Sequence, residues 1–150
     1  MPFSARTMRF FSVIGYIIMI LALVPLIYFH GMFTWSPPII VIQTLAVGLM
    51  FWARLTFGSR SFHYAANPTK GGLVTSGPYK FLRHPIYAAI LYFSFAGVAG
   101  NLSWQNLALL TVICFGAAIR ILCEERLVVI DYPEYSQYAK RTKRLIPFVF

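Results

Sequence analysis

From Phe10 to Ala53, and again from Pro85 to Ile119, the chain carries no Asp, Glu, Lys or Arg. A bilayer core of about 30 Å is crossed by roughly 20 helical residues, so each run has room for two spans joined by a tight turn. With 59% hydrophobic and only 11% charged residues, the chain is expected to be all-α, a polytopic helical membrane protein. The first run breaks between His30 and Pro38, where Gly31, Pro37 and Pro38 interrupt a helix. The second breaks at Gly100-Asn101-Leu102-Ser103. Spans are therefore predicted at about 10–29, 38–57, 85–100 and 104–122. The apolar run of the first exceeds the roughly 7–15 residues of a signal-peptide core and no A-x-A site follows, so it is expected to stay in the mature chain. Residues 1–150 read as one integral membrane domain, with a loop at 58–84 and a C-terminal segment at 123–150.

Positive charge sets the orientation. The 13 Lys and Arg residues precede the first span, lie between the second and third, or end and follow the fourth. Residues 30–37 and 101–103 contain none. By the positive-inside rule, both termini and the 58–84 loop are cytoplasmic. The net charge of +9 then follows from topology, with anionic lipid headgroups as an added partner of the basic tail. A nucleic-acid binder would carry that charge on a soluble face, and this chain is not expected to bind nucleic acid.

Cys114 and Cys123 share one predicted helix about 13 Å apart along its axis, too far for a disulfide. His30, His63 and His84 have no ligand spacing with each other or with the cysteines, so no metal site is expected. Asn101-Leu102-Ser103 matches a glycosylation sequon but sits in a turn too tight to present a sugar, and is read as helix punctuation.

The polar chemistry gathers at the cytoplasmic edge. All four acidic residues, Glu124, Glu125, Asp131 and Glu134, fall between positions 124 and 134, close to Arg120 and Arg126. The loop ends in Lys70-Gly71-Gly72-Leu73-Val74-Thr75-Ser76-Gly77-Pro78-Tyr79, whose glycines allow sharp turns and close approach to a ligand; a plain membrane-surface loop fits the same residues. Pro85 suits the first helical position, with His84 at the cap. The third span is only about 24 Å long, which sets its start at or slightly inside the interface. Its amides and dipole would suit a carboxylate or phosphate there; an ordinary interfacial helix start with Arg83 reaching for headgroups fits too. Arg120 and Glu124, four apart, share a helix face. They form either a surface ion pair or, since ionisable groups at the edge of a span tend to face a polar cavity, part of a site. Antiparallel packing of spans three and four would bring His84, Tyr87, Arg120 and Glu124 into one pocket. Tyr135 and Tyr138 lie on one side of a short C-terminal amphipathic helix expected in the interface, with headgroup anchoring favoured over ligand stacking.

These pieces, in this order, resemble the isoprenylcysteine carboxyl methyltransferase family of integral membrane enzymes. The resemblance runs from Leu73-Val74-Thr75-Ser76-Gly77-Pro78-Tyr79 through Arg83-His84-Pro85-Ile86-Tyr87 to Glu124-Glu125, and ends on Glu134-Tyr135, Tyr138 and Arg144-Leu145-Ile146-Pro147. It spans residues 71–147, about half the chain, with Ala89 and Pro133 standing where the family pattern tends to have Gly. It implies S-adenosylmethionine, leaving as S-adenosylhomocysteine, bound at the cytoplasmic membrane face. Leu73, Val74, Tyr79, His84, Pro85, Tyr87 and Glu124 would contact it, and Arg120 would orient the acceptor. A lipophilic or lipidated carboxylate is the favoured acceptor; a phospholipid amine or a small thiol is the alternative. A nicotinamide-dependent membrane reductase and a non-enzymatic transporter or membrane subunit are the competing readings. A transporter should place polar features near the midplane, where Gln43 is the main candidate.

Overall fold

Ser4 opens the first helix: its Oγ accepts a hydrogen bond from the Thr7 amide at 3.2 Å, satisfying one of the donors that a helix leaves without a partner at its start. In the computed structural model, which describes residues 4–58 and 72–147, α1 is Ala5–Tyr28 and α2 Pro37–Phe57. A 3-10 turn, Gly77–Lys80, precedes α3, Pro85–Gly100. Then come α4, Trp104–Asp131, and α5, Tyr135–Arg141. The described residues are thus helical, with no strand among them. Of the 58–84 loop, Lys70, Gly71 and His63 fall outside the described residues.

The breakers act where the sequence places them. α1 ends at Tyr28, followed by His30 at φ 54° and then Gly31. Pro37 starts α2, and Pro85 starts α3 with His84 as its cap. Asn101 and Ser103 punctuate as expected: the Asn101 amide reaches the Phe33 and Gly97 carbonyls, and Ser103 Oγ caps α4 by accepting from the Asn106 amide at 3.1 Å. α4 runs nine residues beyond the predicted span edge at 122. Apolarity ends near Leu122, but Glu124, Glu125, Arg126 and Leu127 are good helix formers, and the next proline is Pro133. The helix therefore carries its ion pairs out of the apolar layer on the same rigid rod.

α1, α2 and α4 are long and apolar enough to cross a membrane; α3, at 16 residues, is shorter. Large apolar side chains such as Leu21, Leu45 and Phe115 are more than 60% exposed, as expected of helices whose outer faces meet lipid. α3 and α4 are antiparallel about their short turn, yet each packs chiefly on another partner: α4 on α1, and α3 on α2. The α1–α4 seam depends on Gly15 and Gly116. A Cβ on either would lie 2.7–2.8 Å from the other's carbonyl oxygen, so only glycine lets the two backbones approach this closely. Around that crossing, Met19, Ala22 and Leu26 of α1 join Leu91 and Val98 of α3 and Leu110, Ile113, Ala117 and Ile121 of α4 in the main core.

Gln43, the polar group that a transporter reading would use, is buried. It donates to the Met32 carbonyl at 2.6 Å and the Phe93 carbonyl at 3.4 Å. Its amide ties the segment after α1 to α2 and α3 and so has a structural role.

Candidate active site

Two helix ends and the C-terminal tail build the polar cluster. α3 brings His84 and Tyr87 through its first turn, and the last turns of α4 bring Arg120, Glu124 and Glu125. Being four apart, Arg120 and Glu124 face the same way, and the Arg120 Nε lies 3.1 Å from Glu124 Oε1. The Tyr87 hydroxyl sits between them: it accepts a hydrogen bond from Arg120 Nε and donates to Glu124 Oε1 at 2.5 Å. Arg120 and Tyr87 are buried and Glu124 is 21% exposed. The first-turn tyrosine of α3 and the i,i+4 pair of α4 thus form one hydrogen-bonded unit at the edge of the apolar layer, where a polar group without a partner is costly.

Adjacent residues on a helix point about 100° apart, so Glu125 meets a different set. Its Oε1 accepts from Arg83 Nε at 2.9 Å and lies 3.2 Å from His84 Nε2, while Oε2 accepts from Arg144 Nη2 at 2.9 Å. Burial alone would push the Glu125 carboxyl up. Hydrogen bonds from His84, Arg144 and Arg83 outweigh it and hold the group well below the ordinary carboxylate range. His84 is thereby bracketed, with Nε2 toward Glu125 and Nδ1 3.9 Å from Glu124 Oε2.

The tail closes over this arrangement. The Arg83 amide donates to the Lys143 carbonyl at 2.7 Å, the His84 amide to the Arg144 carbonyl at 3.2 Å, and the Lys143 amide to the Phe81 carbonyl at 3.1 Å. Arg83 Nη1 also donates to the carbonyls of Ala139 and Thr142, each at 2.6 Å, satisfying acceptors that the end of α5 leaves open. The Tyr92 hydroxyl donates to the Leu145 carbonyl. The aromatic side of α5 faces the protein rather than headgroups, which corrects the anchoring expectation. Tyr135 is buried, and the Tyr138 hydroxyl donates to the Tyr79 carbonyl at 2.6 Å. Burial pushes the Tyr138 phenol up to about 12, so it stays a donor at neutral pH.

Of the residues singled out from the sequence, the fold brings His84, Tyr87, Arg120 and Glu124 together, with Pro85 buried beneath them. Tyr79 is buried against the Phe57 ring, 5.4 Å between centroids, and joins the cluster's rim through Tyr138. Leu73 and Val74 are half-buried in irregular backbone ahead of the Gly77 turn, outside the hydrogen-bonded cluster. Sequence reasoning missed three partners. Arg83 and Arg144 converge on Glu125, and the Tyr16 ring of α1 lies under the Arg120 guanidinium at 4.9 Å. The Glu124-Glu125 doublet was the available signal for the first two, because neighbours on a helix point about 100° apart and so reach largely different partners, with His84 between them; Tyr16 had none. An open cleft of about 660 Å³ lined by His30, Phe33, Trp35, Gln43 and Phe93 lies toward the other end of the bundle, away from every ionisable group of the cluster.

An all-helical membrane protein with a buried Tyr–Arg–Glu unit at one end of its bundle is the class that this fold and site define. The sequence pattern of the Isoprenylcysteine carboxyl methyltransferase (ICMT) family matches residues 39–130, more than half of the chain, and the chain belongs to that family. The match starts inside α2 and stops at the end of α4. It takes in more of the membrane region than the resemblance above and leaves out both α1 and the 131–147 tail. The cobalt-zinc-cadmium resistance protein CzcN of Cupriavidus metallidurans is 32% identical over 120 residues, 76% of this chain and 52% of that protein. The nickel-cobalt-cadmium resistance protein NccN of Alcaligenes xylosoxydans xylosoxydans is 27% identical over 137 residues, 87% of this chain and 62% of that protein. The chain thus spans about half to three fifths of the length of these curated relatives. No solved structure matches it.

Proposed function

We propose that this protein is an S-adenosylmethionine-dependent methyltransferase acting at the cytoplasmic membrane face on a lipophilic acceptor, a carboxylate by preference. The observation that carries the reading is the Tyr87–Arg120–Glu124 unit, which joins both matched helix ends inside the family segment. The donor set fits the cofactor. Glu124 Oε2 stands 3.9 Å from His84 Nδ1, beyond hydrogen-bond reach, so it can take an ammonium or hydroxyl donor. The α3 start at His84-Pro85 suits a carboxylate. In this reading Leu73, Val74 and Tyr79 complete the cofactor's surroundings and Arg120 orients the acceptor. When bound, the cofactor supplies an electrophilic methyl group. The protein's part is in-line alignment and exclusion of water. A carboxylate acceptor is already ionised at neutral pH, so no catalytic base is required, and a guanidinium is suited to hold it by paired hydrogen bonds.

The arrangement in the membrane belongs to the same proposal. Four spans with α3 the short one, both termini and the 58–84 loop cytoplasmic, and α5 at the interface form a single domain over residues 1–150. Reporters fused after Phe150 and inserted near Asn67 should read cytoplasmic, and one near Thr34 external. An external C-terminus would move the site to the wrong face and end the proposal.

Two relatives are named for metal resistance. Among the described residues no group of three His, Cys, Asp or Glu side chains is placed to hold an ion, and Glu125 is already held by two arginines and His84. Titration of the purified full chain in detergent with S-adenosylhomocysteine, and separately with NADPH, tests the proposal. Saturable heat with S-adenosylhomocysteine alone is the expected result; saturation by NADPH alone would favour a reductase, and by neither a non-enzymatic membrane subunit.

A further inference from the structure

Arg120 is held from two sides. Its Nε belongs to the Tyr87–Glu124 unit, while its guanidinium carbon lies 4.9 Å from the centroid of the Tyr16 ring, closer than the 6.0 Å to the Tyr87 ring. Tyr16 lies on α1, outside the segment that matches the family, and α1 is fixed against α4 by the Gly15–Gly116 crossing one residue away. The Tyr16 ring therefore has a set height and distance relative to Arg120. The arginine side chain is 6% exposed, whereas Tyr16 is 37% exposed on the outer surface of α1. Its ring thus stands between a poorly solvated cation and the outer, apolar surface of the bundle. A cation over an aromatic face is attracted by the ring's quadrupole, and more strongly where water is scarce.

We infer that Tyr16 is a positioning residue for Arg120 on the acceptor side, so that α1 shares in holding the acceptor's anionic group. The inference rests on the proposed role of Arg120. Tyr16 leaves the Arg120–Tyr87–Glu124 hydrogen bonds to themselves and fixes the plane of the guanidinium, which decides whether two parallel N–H groups meet a carboxylate. The ring face does this, not the hydroxyl. Tyr16→Phe should therefore behave like the native chain and Tyr16→Leu should not.

The test uses the full chain in lipid nanodiscs with N-acetyl-S-farnesylcysteine as the carboxylate probe and tritiated S-adenosylmethionine. Tyr16→Leu is expected to raise the probe's KM at least tenfold while S-adenosylhomocysteine affinity stays within twofold, and Tyr16→Phe to leave both within twofold. Equal behaviour of the Leu and Phe variants, or an equal loss of cofactor affinity in Tyr16→Leu, overturns the inference. A second readout needs no turnover. In a spectrum of 15Nε-labelled arginine, the ring-current shift of the Arg120 Nε–H signal should persist in Tyr16→Phe and collapse in Tyr16→Leu. Should the native chain methylate no carboxylate probe, the proposed acceptor class fails, and that spectrum still decides whether Tyr16 sets Arg120.

Discussion

Replacing Glu125 with Ala should release the C-terminal tail and cost about 3–5 kcal/mol of stability, the range for removing one partner of a buried ion pair. The magnitude comes from what is left behind. Arg83 is 11% exposed and His84 8% exposed at their side chains, and both lose their carboxylate. Arg144, at 34%, can turn to water and contributes less. Arg83 also carries the end of α5 through the Ala139 and Thr142 carbonyls, so its displacement should loosen α5 and the Lys143–Arg144 contacts together. Thermal unfolding in detergent and protease cleavage between residues 132 and 147 measure the two effects. A variant that melts like the native chain with a protected tail would show that the backbone contacts suffice and that Glu125 is incidental.

The same carboxylate sets an acid limit. Its folded-state pKa is depressed, while the unfolded chain titrates near the ordinary glutamate value of about 4.3. At acidic pH the unfolded state therefore binds more protons, and stability falls as pH drops through that value and below it. At neutral pH and above both states are ionised, and this group adds no slope. Glu125→Gln should be less stable than the native chain at pH 7 and show a flatter loss below pH 5, read from melting temperature against pH.

Much of this was legible in the chain, because single residues act locally. The uncharged runs hold the apolar helices, α2 starts within a residue of its predicted edge at 38, Pro85 starts α3 with His84 as its cap, and the four-residue spacing of Arg120 and Glu124 puts them on one face. What could not be read depends on distant partners. The pairing of α4 with α1 rests on Gly15 meeting Gly116, and neither glycine announces a partner a hundred residues away. Glu125 becomes a hub only once the tail folds back to supply Arg144. The orientation of α5 is not legible in the sequence because Tyr135 and Tyr138 suit headgroups and protein equally well as an amphipathic face. The Tyr79 carbonyl, reached by Tyr138, decides between them. Helix α4 outran its predicted span for a related reason: hydropathy locates the edge of the lipid, whereas helix propensity locates the end of the rod.

Under the proposed function, Arg120→Ala should lower kcat/KM on the order of 100-fold or more and, contrary to what the resemblance implies, weaken cofactor binding as well. As an acceptor-side arginine one turn deeper than Glu124, Arg120 would be separable from the residues proposed to hold the cofactor. The geometry joins them: its Nε serves both the Tyr87 hydroxyl and Glu124 Oε1, and Ala would leave a carboxylate that is only 21% exposed without its cation. Arg120→Lys keeps the charge and loses the planar fork, so it should reduce turnover more than S-adenosylhomocysteine affinity. Tyr87→Phe removes a hydroxyl that accepts and donates at once, but the Arg120–Glu124 pair survives it, and a loss of about 1–3 kcal/mol is expected. Because both changes act on the same carboxylate, the Tyr87→Phe/Arg120→Lys double variant should depart from additivity by roughly 0.5–3 kcal/mol in S-adenosylhomocysteine affinity. Additive losses would mean that the hydroxyl and the guanidinium serve the cofactor separately, and that Arg120 reaches the reaction through the acceptor alone.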